Sequence, residues 1–248
     1  MINIERIIFG ALLAVVLVCT PAFISPAGPM QAGSVAVTPD ESTGSAVGRY
    51  TTDGGKTWTV VREEKGVVER LPVGTKQADF MAGHQMTPEA EAKIVHKVPK
   101  VPVIIDGVLY QPEDIHKFDG QQLGFTVGPD GRLYAFTDEI ALEDFISTQS
   151  KAGLFSTLSI YSRFCEDYYL SGMRQLEVPP GVSMFSLGSM DNIISSMDIS
   201  AYADNGITLF DLPNLQGDYF HGYYGTPYPN LGWYGWDNRA SSLVVWPQ

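Results

Sequence analysis

A chain of 248 residues with 44 % hydrophobic content can bury a sizeable core, which excludes an intrinsically disordered protein. Its 28 acids outnumber its 16 bases and leave a net charge of −12, so it could not neutralise a row of phosphates, and nucleic acid is excluded as a partner. The same excess suits an exported surface and draws divalent cations.

Arg6 introduces an apolar run over 7–19 that is too short to span a bilayer. Small residues follow at Thr20, Ala22, Ser25 and Ala27, so residues 1–27 are expected to be a signal peptide cleaved after Ala22 or Ala27. An uncleaved N-terminal anchor is the alternative; with cleavage, no stable membrane span remains. Cleavage removes Cys19 and leaves Cys165 alone, so no intrachain disulfide can form. The exported domain must then be held by its core or by metal. Cys165 has no His near it in sequence and is expected to be a small buried hydrophobe.

Gly, Ala, Ser, Thr and Pro dominate the following stretch and predict a flexible linker over 28–48. A β-hairpin segment, 49–78, comes next, because Asp53-Gly54-Gly55 separates two β-rich runs. The string Thr51-x-Asp53-x-Gly55-x-Thr57-Trp58 resembles the Asp-box of sialidases and related propellers. The resemblance implies that Asp53 ties down the turn and Trp58 packs beneath it. Propellers repeat the box and this chain has it once, so a self-stabilised hairpin is expected. Residues 79–152 predict a small α+β module. A helix over 87–97 opens on the cap Thr87 and Pro88 and is stopped by Pro99 and Pro102. Hairpins follow over 103–110 and 122–137. A helix over 139–148 then sets Ile140, Leu142, Phe145 and Ile146 on one face.

From residue 153 the chain becomes all-β in pattern, so the fold class is mainly β with a small α+β module. Asp191-Asn192-Ile193-Ile194-Ser195-Ser196 and Asp237-Asn238-Arg239-Ala240-Ser241-Ser242 share D-N-x-x-S-S, starting 237 − 191 = 46 residues apart. Ser159-Ile160-Tyr161 opens the first half as Thr208-Leu209-Phe210 opens the second, and each signature runs into a last strand. Each half is a Greek key, and the two should pack as an eight-stranded sandwich over 153–248. The repeated side chains are oxygen donors of the kind Ca²⁺ selects. They are also ordinary turn residues, so the loops could serve only to turn the chain.

These features resemble the βγ-crystallin superfamily, specifically its microbial calcium-binding members, over about residues 156–247. The resemblance implies two Ca²⁺ sites shared between loops related by a pseudo-twofold axis. Asn192 and Ser195 of one loop and Asn238 and Ser241 of the other would be ligands, joined by backbone carbonyls near Ser162 and Asp211. Asp191 and Asp237 would fix the loops, and Ser196 and Ser242 would cap backbone groups. The family's corner, aromatic-x₄-aromatic-x-Gly, is met by Phe210-x₄-Leu215-x-Gly217 with Leu in the second aromatic place. In the first half Glu166 or Tyr168 stands where the glycine is expected, which favours the site at the Phe210–Gly217 corner.

The four histidines, His84, His96, His116 and His221, are scattered without zinc-ligand spacing. His221 is expected at an exposed strand position. With no nucleophile elbow or phosphate loop, the expectation is not an enzyme. Tyr223, Tyr224, Trp233 and Trp236, with Tyr228 and Tyr234 beside them, form a second candidate surface for a protein or carbohydrate partner. The chain is thus expected to be an exported protein in which Ca²⁺ stabilises a βγ-crystallin-like domain for an extracellular structural or binding role. A secreted protease inhibitor or toxin-like protein is the alternative, although small inhibitors of this kind rely on disulfides.

Overall fold

The computed structural model describes residues 44–148, 159–203 and 205–247. The signal peptide and most of the linker expected from the sequence lie outside the described residues. Strands β1 (Ala46–Thr51) and β2 (Thr59–Arg62) form a hairpin, followed by β3 (Val68–Arg70) and the short helices α1 (Gln77–Ala82) and α2 (Pro88–Glu91). Two hairpins come next, β4 (Val103–Ile105) with β5 (Val108–Tyr110) and β6 (Gly124–Val127) with β7 (Leu133–Phe136), and then helix α3 (Glu139–Thr148). The first half of the sandwich is β8 (Ser162–Asp167), β9 (Ser171–Val178), β10 (Val182–Met184) and β11 (Ser196–Asp198). The second is β12 (Ile207–Leu212), β13 (Gln216–Gly222), β14 (Pro227–Tyr228) and β15 (Ser242–Val245).

The halves exchange their third strands. β10 pairs with β15 of the second half, Val182 opposite Val245, while β14 pairs with β11 of the first, Tyr228 opposite Met197. Neither sheet is complete without both halves. The first sheet runs β14-β11-β8-β9-β1-β2, and the second runs β3-β10-β15-β12-β13-β6-β7-β4-β5. The upstream segments therefore add their strands to the sandwich's own sheets, β1 beside β9 and β6 parallel to β13. Their apolar side chains Val103, Ile105, Leu123 and Phe125 belong to the same core as Phe164, Met197 and Leu243.

Strand periodicity explains why the second sheet is apolar on both faces. Leu243 and Val245 point into the space between the sheets, whereas Val244 between them joins Phe210, Tyr219 and Trp246 on the outer face. Met81 of α1 and Leu142 of α3 cover that outer cluster. Burying a side chain the size of Leu142 contributes roughly 1.5–3 kcal/mol.

Several expected elements stand where the sequence puts them. Asp106 and Gly107 take φ of 47° and 82° and close the β4–β5 hairpin with a left-handed turn. In the Asp-box-like hairpin, Asp53 Oδ1 accepts from the Thr57 amide at 2.9 Å and Oδ2 from the Thr57 hydroxyl at 2.6 Å. These bonds, with one from Thr51, lower the Asp53 pKa to about 2. Cys165 is buried, and burial raises its thiol pKa to about 11.

Other elements differ. β1 begins inside the segment expected as linker. The helix expected over 87–97 is only Pro88–Glu91 long, although Thr87 does cap it by accepting the Ala90 amide at 3.3 Å. Beyond it, the Ile94 carbonyl accepts from Gly120 and the His96 amide donates to Asp119 Oδ1 at 3.0 Å, so tertiary partners override helical propensity. Ile140 is 66 % exposed, unlike Leu142 on the same helix. His221 is buried, not exposed as expected, because β6 covers its strand; burial pushes its pKa down to about 3.

Candidate metal centre

The two loops, residues 191–196 and 237–242, lie against each other and exchange backbone hydrogen bonds. The Asn192 amide donates to Ala240 O at 2.9 Å, and the Asn238 amide donates to Ile194 O at 3.0 Å. Both asparagines take left-handed φ, 54° and 52°, which Asn tolerates better than most residues. The Ser195 amide bonds to Cys165 O and the Ser241 amide to Phe210 O. The last serine of each signature pins the hairpin of its own half. Ser196 Oγ donates to Asp167 O at 2.5 Å and accepts from the Leu170 amide at 3.0 Å. Ser242 Oγ donates to Leu212 O at 2.6 Å and accepts from the Leu215 amide at 3.0 Å. Both serines cap backbone groups, as the resemblance implies.

These pairings correct the alignment of the halves. Ser196 lies opposite Cys165 and Ser242 opposite Phe210, so Cys165 is the counterpart of Phe210. The first corner is then Cys165-x₄-Leu170-x-Gly172, and its glycine is present. Gly172 has φ 110° and Gly217 φ 82°, and each follows a pair of left-handed residues, Tyr169-Leu170 and Asn214-Leu215. The expected glycine place at Glu166 or Tyr168 comes from starting the strand at Ser159, whereas β8 begins at Ser162. A cysteine in the aromatic position hides the true register.

A cleft of about 540 Å³ opens where the first hairpin meets both loops, lined by Glu166, Asp167, Tyr168, Ser195, Asp237 and Asn238. Ser195 Oγ donates to Asn238 Oδ1 at 3.3 Å, joining the serine of one loop to the asparagine of the other. Tyr168 donates its phenol to Asp237 Oδ2 at 2.8 Å. Asp237 Oδ1 and Asn230 Oδ1 are buried without a hydrogen-bond partner among the described residues. Gly232 leaves room for this oxygen cluster, since a Cβ there would fall 2.9 Å from both Asn230 Oδ1 and the Tyr168 hydroxyl. An orphaned carboxylate oxygen beside amide, hydroxyl and carbonyl oxygens is the donor set of a hard cation, so these residues fit Ca²⁺. Among the described residues no three or more His, Cys, Asp or Glu side chains converge as metal ligands, so neutral oxygens must fill most of a shell.

The pseudo-symmetric position is built differently. Asn192 and Ser241 occupy the matching places, but the residue after Asn238 is Arg239, where the first loop has Ile193. Arg239 is 2 % exposed. Its Nη2 and Nε donate to Asp211 Oδ2 at 2.9 and 3.1 Å, and Nη2 also bonds Asp218. The guanidinium stacks 4.3 Å from the centre of the Trp236 ring. Asp218 Oδ2 accepts from His96 Nδ1 at 2.7 Å, and the other His96 nitrogen faces Phe118 O at 2.9 Å. Both ring nitrogens meet acceptors, an arrangement that favours the doubly protonated ring. Burial opposes that charge, but the bond to Asp218 and its charge outweigh it and raise the His96 pKa. Burial is also the main cause of the Asp211 pKa rising to about 6, with Arg239 opposing it.

The structure thus brings Ser195, Asp237 and Asn238 together at one cleft. Asn192 and Ser241 lie at the other position with Asp211, whose Oδ2 is engaged by Arg239 while its Oδ1, like that of Asp237, is buried without a partner among the described residues. Asp191 is exposed. Ser162 is not brought to either loop: it begins β8 and its Oγ accepts the Ser200 amide at 3.1 Å, so Glu166 takes the place expected for it. Among the aromatics, Trp233 is 46 % exposed and Tyr223 and Tyr224 are half-buried. Trp236 is fully buried under Arg239 and is core, not surface. Sequence reasoning missed Tyr168, Asn230, Arg239 and His96; the charged residue at a position where the other repeat has isoleucine was the available signal.

The sandwich is βγ-crystallin-like: two Greek keys, each carrying D-N-x-x-S-S before its fourth strand, packed as two sheets. A solved βγ-crystallin from Ciona intestinalis is 24 % identical with a TM-score of 0.29, covering 34 % of this chain and 98 % of that one. A second solved structure, from work on the evolution of the eye lens βγ-crystallin domain fold, is 10 % identical with a TM-score of 0.31 and covers 36 % and 86 %. No family model matches the chain, and no curated protein matches it. Fold class stands on the strand order and the loops, and these likenesses add no functional inference. Among the described residues no helix is long and apolar enough to cross a membrane.

Proposed function

We propose that this is an exported calcium-binding protein in which Ca²⁺, held in the cleft between the two loops and the first hairpin, stabilises the sandwich for an extracellular structural or binding role. The observation that carries the reading is the meeting of Ser195 Oγ and Asn238 Oδ1 beside the orphaned Asp237 Oδ1. Asn238 and Asp237 come from one loop, Ser195 from the other, and Glu166 and Asp167 from the hairpin, so a bound cation supplies a cross-link between three segments. Tyr168 orients Asp237 by occupying Oδ2, and Oδ1 is left without a hydrogen-bond partner among the described residues. Such a cross-link matters most in a chain that cannot form an internal disulfide once its leader is lost.

Few charged ligands reach the cleft, which places the affinity in the range of extracellular modules, about 10⁻⁵–10⁻³ M. Equilibrium dialysis against Ca²⁺ should find saturable binding in that range. Absence of saturable binding at millimolar Ca²⁺ would sink the reading. The export component has its own check, since N-terminal sequencing of secreted protein should begin at Phe23 or Gly28.

A further inference from the structure

We propose that the second loop position is closed to metal by a cation of the chain's own, Arg239, and that the protein binds one divalent cation, in the first cleft alone. This deepens the calcium reading and rests on it.

At the first cleft the acid of the hairpin, Glu166, is neutralised from the strand behind it. Arg174 of β9 holds Glu166 through Nε, Nη2 and its own amide, from a strand outside the two loops. At the second position the arrangement is inverted. The counterpart of Arg174 is Asp218, the residue before the strand partner of Phe210, and the positive charge sits on the loop itself as Arg239. Its guanidinium lies on Asp211, the counterpart of Glu166, so a divalent ion bound there would face a fixed positive charge about a side chain's width away.

Arg239 cannot swing aside at low cost. Asp218, wholly buried, holds it from one side, Trp236 stacks on its face, and His96 locks Asp218 in place. The charge of Lys97 acts on Asp211 and Arg239 but also on Asp237 of the first cleft, so the difference between the two positions rests on Arg239. The upstream segment also lies against the second loop, since a Cβ on Gly235 would fall 3.0 Å from Pro99 Cα. The second position lacks a phenol as well. Tyr169 matches Asn214, so the place of Tyr168 is taken by Pro213, which has no oxygen to orient Asp191.

Calcium titration calorimetry on the full chain tests this by stoichiometry. The wild type should bind one ion. The Asn238→Gly, Ser195→Ala double variant removes first-cleft ligands without backbone strain at the left-handed residue, and its binding should fall from one ion to none. Arg239→Ile copies the first loop and should raise the stoichiometry to two; a folded variant still binding one overturns closure by Arg239. If that variant does not fold, the double variant decides alone. Two ions on the wild type overturn the closure while leaving calcium binding intact. One ion on the double variant shows the second position open and overturns the proposal. No binding by the wild type overturns both this inference and the calcium reading beneath it.

Discussion

The two halves of the sandwich share a backbone but divide their charges in opposite ways. Both hairpins carry two left-handed residues and a glycine, and both are pinned by a serine that closes its own signature. In the first half the acid and its base pair at the surface, with Arg174 41 % exposed. In the second half Asp211, Asp218, Arg239 and His96 form one buried chain that ties the upstream segment to the sandwich. Backbone symmetry therefore does not imply equal chemistry. One half keeps an open cleft of oxygens, and the other has turned the equivalent place into an internal ion network.

The largest expected difference comes from removing the two arginines. Arg239→Ala leaves two carboxylates near or in the core without their partner and should cost roughly 3–5 kcal/mol in denaturant unfolding. Arg174→Ala breaks a half-exposed pair and should cost no more than about 1 kcal/mol. Equal losses would mean that the networks are equivalent after all. The hairpin serines should behave alike instead. Ser196→Ala and Ser242→Ala each orphan a carbonyl and an amide, and each should cost about 1–3 kcal/mol. A loss confined to Ser242→Ala would show that the first corner is not built as the second is.

A smaller effect separates the halves by pH. The raised pKa of His96 means that the folded state binds its proton more tightly than the unfolded chain does. Its contribution is fully present below pH about 6.5 and is lost as pH rises through the folded value. Asp218, Asp119 and Arg239 face this ring or its backbone, and the imidazolium pairs with the first of them. The wild-type denaturation midpoint should fall as pH rises above about 6.5, and His96→Gln should flatten that fall. A slope unchanged by the substitution would remove His96 from the network.

Much of the fold was legible because its signals are local. Asp106-Gly107 and the glycine-rich turn at 128–131 punctuate hairpins, and D-N-x-x-S-S repeats with its following strand. What failed to show depends on partners distant in sequence. Cys165 in place of an aromatic conceals the register of the first hairpin, so in the sequence alone the Phe210–Gly217 corner looks the better site. His96 carries helical punctuation upstream yet is drawn out of a helix by Asp119 and Asp218, the latter 122 residues away. Nothing in the string around Arg239 reveals that its charge is met by acids on β12 and β13.

Thermal melts with 1 mM Ca²⁺ and with chelator, on the wild type and on the Asn238→Gly, Ser195→Ala variant, decide whether the cleft holds metal. For a dissociation constant near 10 µM, calcium adds about 2.7 kcal/mol, which corresponds to roughly 5–10 °C for a chain of this size. The wild-type midpoint should rise by that order and the variant's should stay where the chelator leaves it. A wild-type midpoint indifferent to calcium would contradict a metal role for the cleft.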